Sequence, residues 1–248
     1  MLQAKLSFGS KPPRDLQHDF QNSLYVVTCE RRAYVLDDVT LNLKLEVAGS
    51  FHAAAASLDG KLALVDEHNV LTLRDLADRD YLFTLATGES RVEELKFSPL
   101  GLYLTARLSN PHGVAVWMVD KPESLFTFNE NLKFADFVPL DGDHACSLVC
   151  HDEDYIKVWS VSHGRLKTTL DYSRKKAERV AAMRDGRLLA VQQKKDHRVA
   201  LVDLGSGQEK TLYSGEEEAR LVKVSDHELV LLKAKSLEFF TVPIGSLA

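Results

Sequence analysis

Turn-forming segments recur along this chain at a nearly constant interval, and this repeat constrains the fold more than any other feature. The segments SLDG, SPLG, PLDG, MRDG and VSDH end at Gly60, Gly101, Gly142, Gly186 and His227. The intervals between these positions are 41, 41, 44 and 41 residues, and an earlier counterpart around Asn22 precedes Gly60 by 38 residues. A period of about forty residues is typical of arrays of similar structural units.

Short runs of bulky and β-branched residues keep the same period. Each run follows its turn segment at a similar distance; the runs are AYVLDD (33–38), VLTLRDL (70–76), VAVWMVD (114–120), YIKVWSV (155–161), RVALVDL (198–204) and SLEFFTV (236–242). Runs of this length and composition favour β-strands over helices. Two independent markers with one period indicate a true internal repeat.

Each repeat divides into four short apolar runs separated by turns, as in SLFTF, LKFADFV, HACSLVC and YIKVWSV. Six units of four antiparallel strands predict an all-β chain with the architecture of a β-propeller. We place Gln3–Phe8 as the first strand of the first unit and Leu237–Val242 as the last strand of the sixth. The predicted blades of this single domain, 1–248, are 1–42, 43–76, 77–120, 121–161, 162–204 and 205–248.

The segment YIKVWSVSHGRLKTTL resembles the last strand, turn and first strand of a WD40 repeat. Trp159 stands at the position of the family's tryptophan, and Ser160 stands where aspartate is usual. Trp117 repeats the tryptophan, and Asp75 and Asp203 repeat the aspartate. No unit has the Gly-His pair that family members often carry, so packing between blades must depend more on apolar side chains. The resemblance implies a WD40-like propeller of six blades, or alternatively seven blades or an incomplete ring.

The stretch HACSLVCHDEDYIKVWSVSHG, residues 144–164, also raises the possibility of a metal site. In an extended strand Cys146 and Cys150 lie about 13 Å apart, whereas two thiolates on one zinc ion lie within about 5 Å of each other. One zinc ion therefore cannot bind both. The repeat interpretation makes His144–Cys150 a third strand with buried small residues, and Asp152–Asp154 the turn to the fourth strand.

No motif for catalysis or for cofactor binding is present. Gly205, Ser206 and Gly207 begin a GxG pattern, but Lys210 occupies the place of the third glycine of a dinucleotide-binding loop. The nine histidines are scattered, and no nucleophile is accompanied by a base and an orienting group. We therefore expect a protein that is not an enzyme and that has no cofactor, metal or small-molecule substrate.

Composition and charge limit the cellular compartments and the classes of binding partner that are expected for this protein. The net charge of −5 argues against a dedicated nucleic-acid binder. Three cysteines form a sparse, odd set that fits a reducing compartment. The chain begins without the apolar core of a signal peptide and has no run long enough to span a bilayer. These features predict a cytoplasmic or nuclear protein that does not bind membranes.

Charged residues of the fifth unit form the candidate partner-binding site. Because loops between strands one and two share a face with loops between strands three and four, we expect two basic loops to converge. The first holds Arg174, Lys175, Lys176 and Arg179, and the second holds Lys194 and Lys195 with Arg198 close behind. Two acidic turns, Asp152, Glu153 and Asp154 of the fourth unit and Glu216–Glu218 of the sixth, should flank them on the same face.

This mixture of charges predicts a protein-protein interaction scaffold, a subunit of an intracellular multiprotein complex. The alternative is an RNA-associated propeller in a ribonucleoprotein or translation-related assembly, whose basic loops contact phosphates. A third interpretation gives these residues no binding role, since exposed charged turns improve solubility and pair only weakly across blades.

Overall fold

The computed structural model describes residues 13, 15–19, 24–57, 59–76, 81–139, 146–183, 187–215, 219–225, 227–233 and 236–242. Within these ranges all regular structure is β-strand, and 23 strands form six antiparallel sheets. No helix in the described part of the chain is long and apolar enough to cross a membrane. The chain divides into two compact units, Met1–Asn131 and Leu132–Ala248.

The first unit contains sheets 1, 2 and 3, each with four strands in sequence order. Sheet 1 consists of β1 (Asp15–Asp19), β2 (Leu24–Thr28), β3 (Arg32–Asp37) and β4 (Leu43–Ala48). Sheet 2 consists of β5 (Phe51–Ala56), β6 (Lys61–Asp66), β7 (Leu71–Asp75) and β8 (Tyr81–Leu85). Sheet 3 consists of β9 (Arg91–Phe97), β10 (Tyr103–Ser109), β11 (Gly113–Met118) and β12 (Ser124–Phe128).

The second unit contains sheets 4, 5 and 6. Sheet 4 consists of β13 (Lys133–Pro139), β14 (Cys146–His151), β15 (Tyr155–Ser160) and β16 (Arg165–Asp171). Sheet 5 consists of β17 (Ala177–Met183), β18 (Leu188–Gln193), β19 (Val199–Asp203) and β20 (Glu209–Tyr213). The described strands of sheet 6 are β21 (Ala219–Ser225), β22 (Glu228–Lys233) and β23 (Leu237–Thr241).

The sheets are offset by one strand from the predicted repeats. The runs expected to be fourth strands are third strands: five of them pair with a second strand on one side and a fourth strand on the other, as β15 does with β14 and β16, and β23 pairs with β22 as the third described strand of sheet 6. The internal boundaries proposed at 42/43, 76/77, 120/121, 161/162 and 204/205 all fall between the third and fourth strands of a sheet. Residues 144–150 were likewise expected to be a third strand, but β14 is the second strand of sheet 4. The proposed first strand, Gln3–Phe8, lies outside the described residues.

A recurring irregularity relates the sheets to one another. In four first strands the pairing with the second strand slips by one residue near the strand start, which leaves one extra residue: His52, Glu93, Ala135 and Glu178. A β-bulge of this kind bends the strand and redirects its side chains. Its recurrence at equivalent positions supports the repeat independently of the sequence markers.

The core lies between neighbouring sheets of each unit. Second strands such as β14 and β18 are buried along their whole length, whereas the fourth strands β16 and β20 are mostly exposed. Trp117 is fully buried between sheets 2 and 3, and its indole Nε1 has no hydrogen-bond partner in the described part of the protein. Apolar packing therefore holds this tryptophan in place, as the missing Gly-His pair predicts.

Cys146 and Cys150 are buried small residues, as predicted from the repeat, and Cys29 is buried as well. Cys29, Cys146 and Cys150 are all free thiols. Cys146 and Cys150 belong to the buried strand β14, and burial raises the pKa of the Cys146 thiol to about 12. A thiol with so high a pKa is protonated and unreactive near neutral pH.

Candidate functional site

Three loops of the second unit meet on one side of sheets 4 and 5. The loop that leads from β16 to β17 contacts the β14–β15 loop, because Ala177 donates its backbone N–H to the carbonyl oxygen of Glu153 at 2.8 Å. The same loop contacts the β18–β19 loop, where the N–H of Lys194 donates to the carbonyl oxygen of Lys176 at 2.8 Å. The structure thus brings together the predicted basic loops and the acidic turn of the fourth unit.

The identity of these loops differs from the prediction because of the one-strand offset. Residues 172–176 connect the fourth strand of sheet 4 to the first strand of sheet 5, and residues 194–198 connect the second and third strands of sheet 5. These two kinds of loop also share a face in an antiparallel meander, so the convergence is preserved. Arg179 lies within β17 and not in a loop.

Local hydrogen bonds fix the shape of the two turns that carry the charges. The carboxylate of Asp152 accepts the backbone N–H groups of Asp154 at 2.7 Å and Tyr155 at 2.6 Å. Lys176 has a φ of 58° and donates its N–H to the carbonyl oxygen of Tyr172 at 2.6 Å. A positive φ is uncommon for a residue other than glycine. Here this backbone conformation closes the loop that leads into β17.

Two of the predicted lysines are neutralised by the acidic turn. Lys194 Nζ lies 2.7 Å from Glu153 Oε1, and Lys176 forms an ion pair with Asp154. The hydrogen bond from Lys194 lowers the pKa of Glu153, and the hydrogen bond to Asp154 raises the pKa of Lys176. Both pairs are exposed to solvent, so each contributes little to stability on its own.

A third lysine pairs with a residue that the sequence did not indicate. Lys175 Nζ lies 2.7 Å from Glu209 Oε2, and the buried hydroxyl of Tyr172 donates to Glu209 Oε1 at 2.9 Å. Burial alone would raise the pKa of Glu209, but the hydrogen bonds from Lys175 and Tyr172 outweigh it, so the pKa is lowered. Burial and the Glu209 carboxylate raise the pKa of Tyr172. No sequence motif marks Glu209, which is an ordinary charged residue of a fourth strand.

The remaining predicted cations are not neutralised in this way. Arg174 and Lys195 are exposed and form no ion pair with any described residue. Arg198 donates from Nη2 to the hydroxyl of Thr211. Arg179 is half-buried beside Arg220, a residue that the sequence analysis did not single out. The other predicted acidic turn, Glu216–Glu218, lies outside the described residues.

A buried glutamine joins the first strands of sheets 5 and 6. Gln192 is only 2% exposed; its Nε2 donates to Glu178 at 3.2 Å, and its Oε1 accepts the N–H of Leu221 at 2.8 Å. Gln192 also lies opposite Arg179 in the β17–β18 ladder. Arg179 directly follows Glu178 in sequence, and Arg220 directly precedes Leu221. Gln192 therefore fixes the positions of both arginines.

The sheet architecture is that of a WD40-like β-propeller, as the sequence predicted. Among solved structures, the chain is similar to the crystal structure of the C-terminal WD40 domain of Sif2. The match has a TM-score of 0.69 at 10% sequence identity and covers 96% of this chain and 72% of that one. No family model and no curated protein matches the sequence. A likeness at this identity defines the fold and leaves the function to be argued from the site.

Proposed function

We propose that this protein is a non-enzymatic protein-protein interaction scaffold and a subunit of an intracellular multiprotein complex. The observation that carries the proposal is the set of backbone hydrogen bonds and ion pairs that lock three loops of sheets 4 and 5 together. Loops on a rigid scaffold are common sites of recognition. This group of loops presents both signs of charge at fixed positions, which suits a partner protein of mixed charge.

The carboxylates of the surface favour a protein partner over RNA. Glu153 and Asp154 lie among the lysines, and carboxylates repel a phosphate backbone within a Debye length of about 8 to 10 Å. The lysines Lys175, Lys176 and Lys194 are already paired, so binding of phosphates would require those pairs to break. RNA association remains the second candidate because Arg174 and Lys195 are exposed and lack an ion pair with the described residues.

The proposed role is passive, and the proposed compartment is the cytoplasm or nucleus. Lys175, Lys176 and Lys194 are held in ion pairs with Glu209, Asp154 and Glu153, which is the arrangement of a structural surface and not of an acid-base pair poised for proton transfer. Three free, buried thiols are compatible with a reducing compartment. Partner segments would bind across the face of sheets 4 and 5 without chemical change.

Affinity capture of the intact chain from cell extract, with and without nuclease, tests the proposal. We expect a defined set of proteins that is retained after nuclease treatment. Recovery that collapses with nuclease would instead favour the RNA-associated function. Salt dependence gives a second criterion, because phosphate contacts produce a steep log-linear loss of binding with salt and a mixed-charge protein interface produces a shallow one.

Charge reversal tests whether the partner uses this face. The variant Arg174→Glu/Lys195→Glu changes two exposed cations of the loops, and we expect weaker recovery of the captured proteins. Lys167→Glu/Lys210→Glu, on the exposed strands β16 and β20, changes the charge by the same amount and should leave recovery unchanged. Equal recovery by both variants would place the partner elsewhere on the protein.

A further inference from the structure

Three cations occupy the beginnings of the first strands of consecutive sheets in the second unit. Lys133 is the first residue of β13, Arg179 the third of β17, and Arg220 the second of β21. These first strands lie next to one another, β13 beside β17 and β17 beside β21. We refer to Lys133, Arg179 and Arg220 as the cationic strip.

Two of the three charges, those of Arg179 and Arg220, are close enough to influence each other. Burial and the neighbouring charge of Arg220 both lower the pKa of Arg179. The pKa of the buried His151 is lowered by burial and by the charges of Lys133 and Arg179. Lys133 and His151 are also direct partners in the β13–β14 ladder. Because β13 lies beside β17 and β17 beside β21, the strip extends from sheet 4 to sheet 6.

None of the three cations forms an ion pair or a side-chain hydrogen bond with the described residues, although carboxylates are near. Glu178, which precedes Arg179, accepts a hydrogen bond from Gln192. Glu153, which is near Lys133, is paired with Lys194. The carboxylate of Asp152 accepts two backbone N–H groups of its own turn. These three carboxylates are thus engaged by other groups, and the strip keeps its positive charge.

Gln192 holds this repulsive arrangement in place. Its side chain links β17 and β21 through Glu178 and the N–H of Leu221, so Arg179 and Arg220 cannot move apart without breaking buried hydrogen bonds. Like charges fixed side by side destabilise a fold unless an anion lies between them. Arginine side chains in particular bind carboxylates with two parallel hydrogen bonds.

We propose that the cationic strip binds an extended acidic segment of a partner protein, with its carboxylates on Arg179 and Arg220 and a further one near Lys133. This inference rests on the scaffold function proposed above and specifies its partner. An acidic peptide fits better than a nucleic acid, because Glu153 and Glu178 border the strip and would repel a continuous phosphate backbone. A peptide, in contrast, can carry carboxylates at the positions that face the strip and uncharged side chains at the positions that face Glu153 and Glu178.

Fluorescence anisotropy with a labelled decapeptide of alternating glutamate and serine tests the proposal on the intact chain. We expect saturable binding at low salt and none for the same peptide with glutamine in place of glutamate. The variant Arg179→Gln/Arg220→Gln should weaken binding by roughly tenfold or more, the effect of losing one or two charge-assisted contacts. Lys175→Gln/Lys194→Gln removes the same amount of charge from paired positions and should weaken binding much less.

Several results would overturn the acidic-peptide site. The first is that the glutamate peptide shows no saturable binding. The second is that the two double variants lose peptide affinity equally. The third is that a uridine decanucleotide binds more tightly than the peptide and that the strip variant abolishes this binding. Thermal unfolding of each variant establishes that it is folded. Failure of this site and failure of the scaffold function are distinguishable: if wild type and strip variant capture the same nuclease-resistant proteins, the scaffold function stands and the strip is not its binding site.

Discussion

Lys194 and Glu153 form an ion pair across one full repeat of the chain. Their side-chain atoms are 2.7 Å apart, and the residues are separated by 41 positions, which equals the most common interval between the turn segments. One residue follows the second strand of sheet 5, and the other follows the second strand of sheet 4. Neighbouring repeats thus carry opposite charges in corresponding loops, which joins the loops into one surface.

Reversal of one charge in this pair should destabilise the protein slightly. In Lys194→Glu, like charges face each other, so we expect a small decrease in melting temperature that grows at low salt, where screening is weakest. The double variant Glu153→Lys/Lys194→Glu should recover most of the decrease, because it restores the pair in reverse. Lys195→Glu, at a neighbouring exposed lysine, is the control. A decrease of equal size in that control would show that the pair is not responsible.

The hydroxyl of Tyr172 should contribute measurably to folding. Tyr172→Phe removes the hydrogen bond to Glu209 from a side chain that is only 3% exposed. We expect a loss of about 1.5 to 3 kcal/mol in the free energy of unfolding, as for a hydrogen bond to a charged group. Tyr155→Phe, at a tyrosine that is 40% exposed, should change stability far less. Urea denaturation measures both, and identical values would contradict a specific role for this bond.

Acid should destabilise the first unit through Asp37. Hydrogen bonds from Thr40 and the nearby Lys44 lower the pKa of this carboxylate from 3.8 to about 2. Because the folded-state pKa lies below the unfolded value, its stabilising effect is fully present above pH 3.8 and is lost as the pH falls toward about 2. Asp37→Asn should therefore flatten the decline of stability with pH in this window, measured as the free energy of unfolding in urea at a series of pH values. Parallel declines for Asp37→Asn and wild type would contradict the prediction.

The buried side chain of Gln192 should contribute substantially to the free energy of unfolding. Gln192→Leu leaves the N–H of Leu221 without its acceptor in a buried position, which costs roughly 1 to 3 kcal/mol. Hydrogen exchange at Leu221 should become faster in this variant because the strand start is no longer tied to sheet 5. Gln208→Leu, at an exposed turn position, is the control for loss of an amide. Unchanged exchange at Leu221 would show that Gln192 does not hold the first strands of sheets 5 and 6 together.

The length of the repeat was predictable from sequence, but the strand at which each sheet begins was not. Turn segments and β-branched runs mark where strands begin and end, and they predicted the six sheets. Which strand pairs with which depends on hydrogen bonds between segments, and a sequence period is the same wherever the unit is taken to start. This is why the run at Tyr155 was assigned to a fourth strand although it is a third strand.

The partners of the candidate site residues were likewise beyond the sequence. The convergence of the lysine-rich loops follows from the alternation of strand direction and was expected. Glu209 and Arg220 were missed because each is a single charge on a strand, and only the arrangement of neighbouring sheets brings them to Lys175 and Arg179. Motif searches favour clusters in sequence, whereas this surface is assembled from residues about one repeat apart.

The most direct test of the proposed interaction surface is quantitative capture with the strip reversed in charge. Arg179→Glu/Arg220→Glu and wild type would be used as bait in nuclease-treated extract, and the bound proteins would be quantified after both baits are shown to be folded. We predict that wild type retains a defined set of proteins and that the variant loses members rich in acidic segments. The same set bound in equal amounts by both baits would contradict a role for this surface in protein binding.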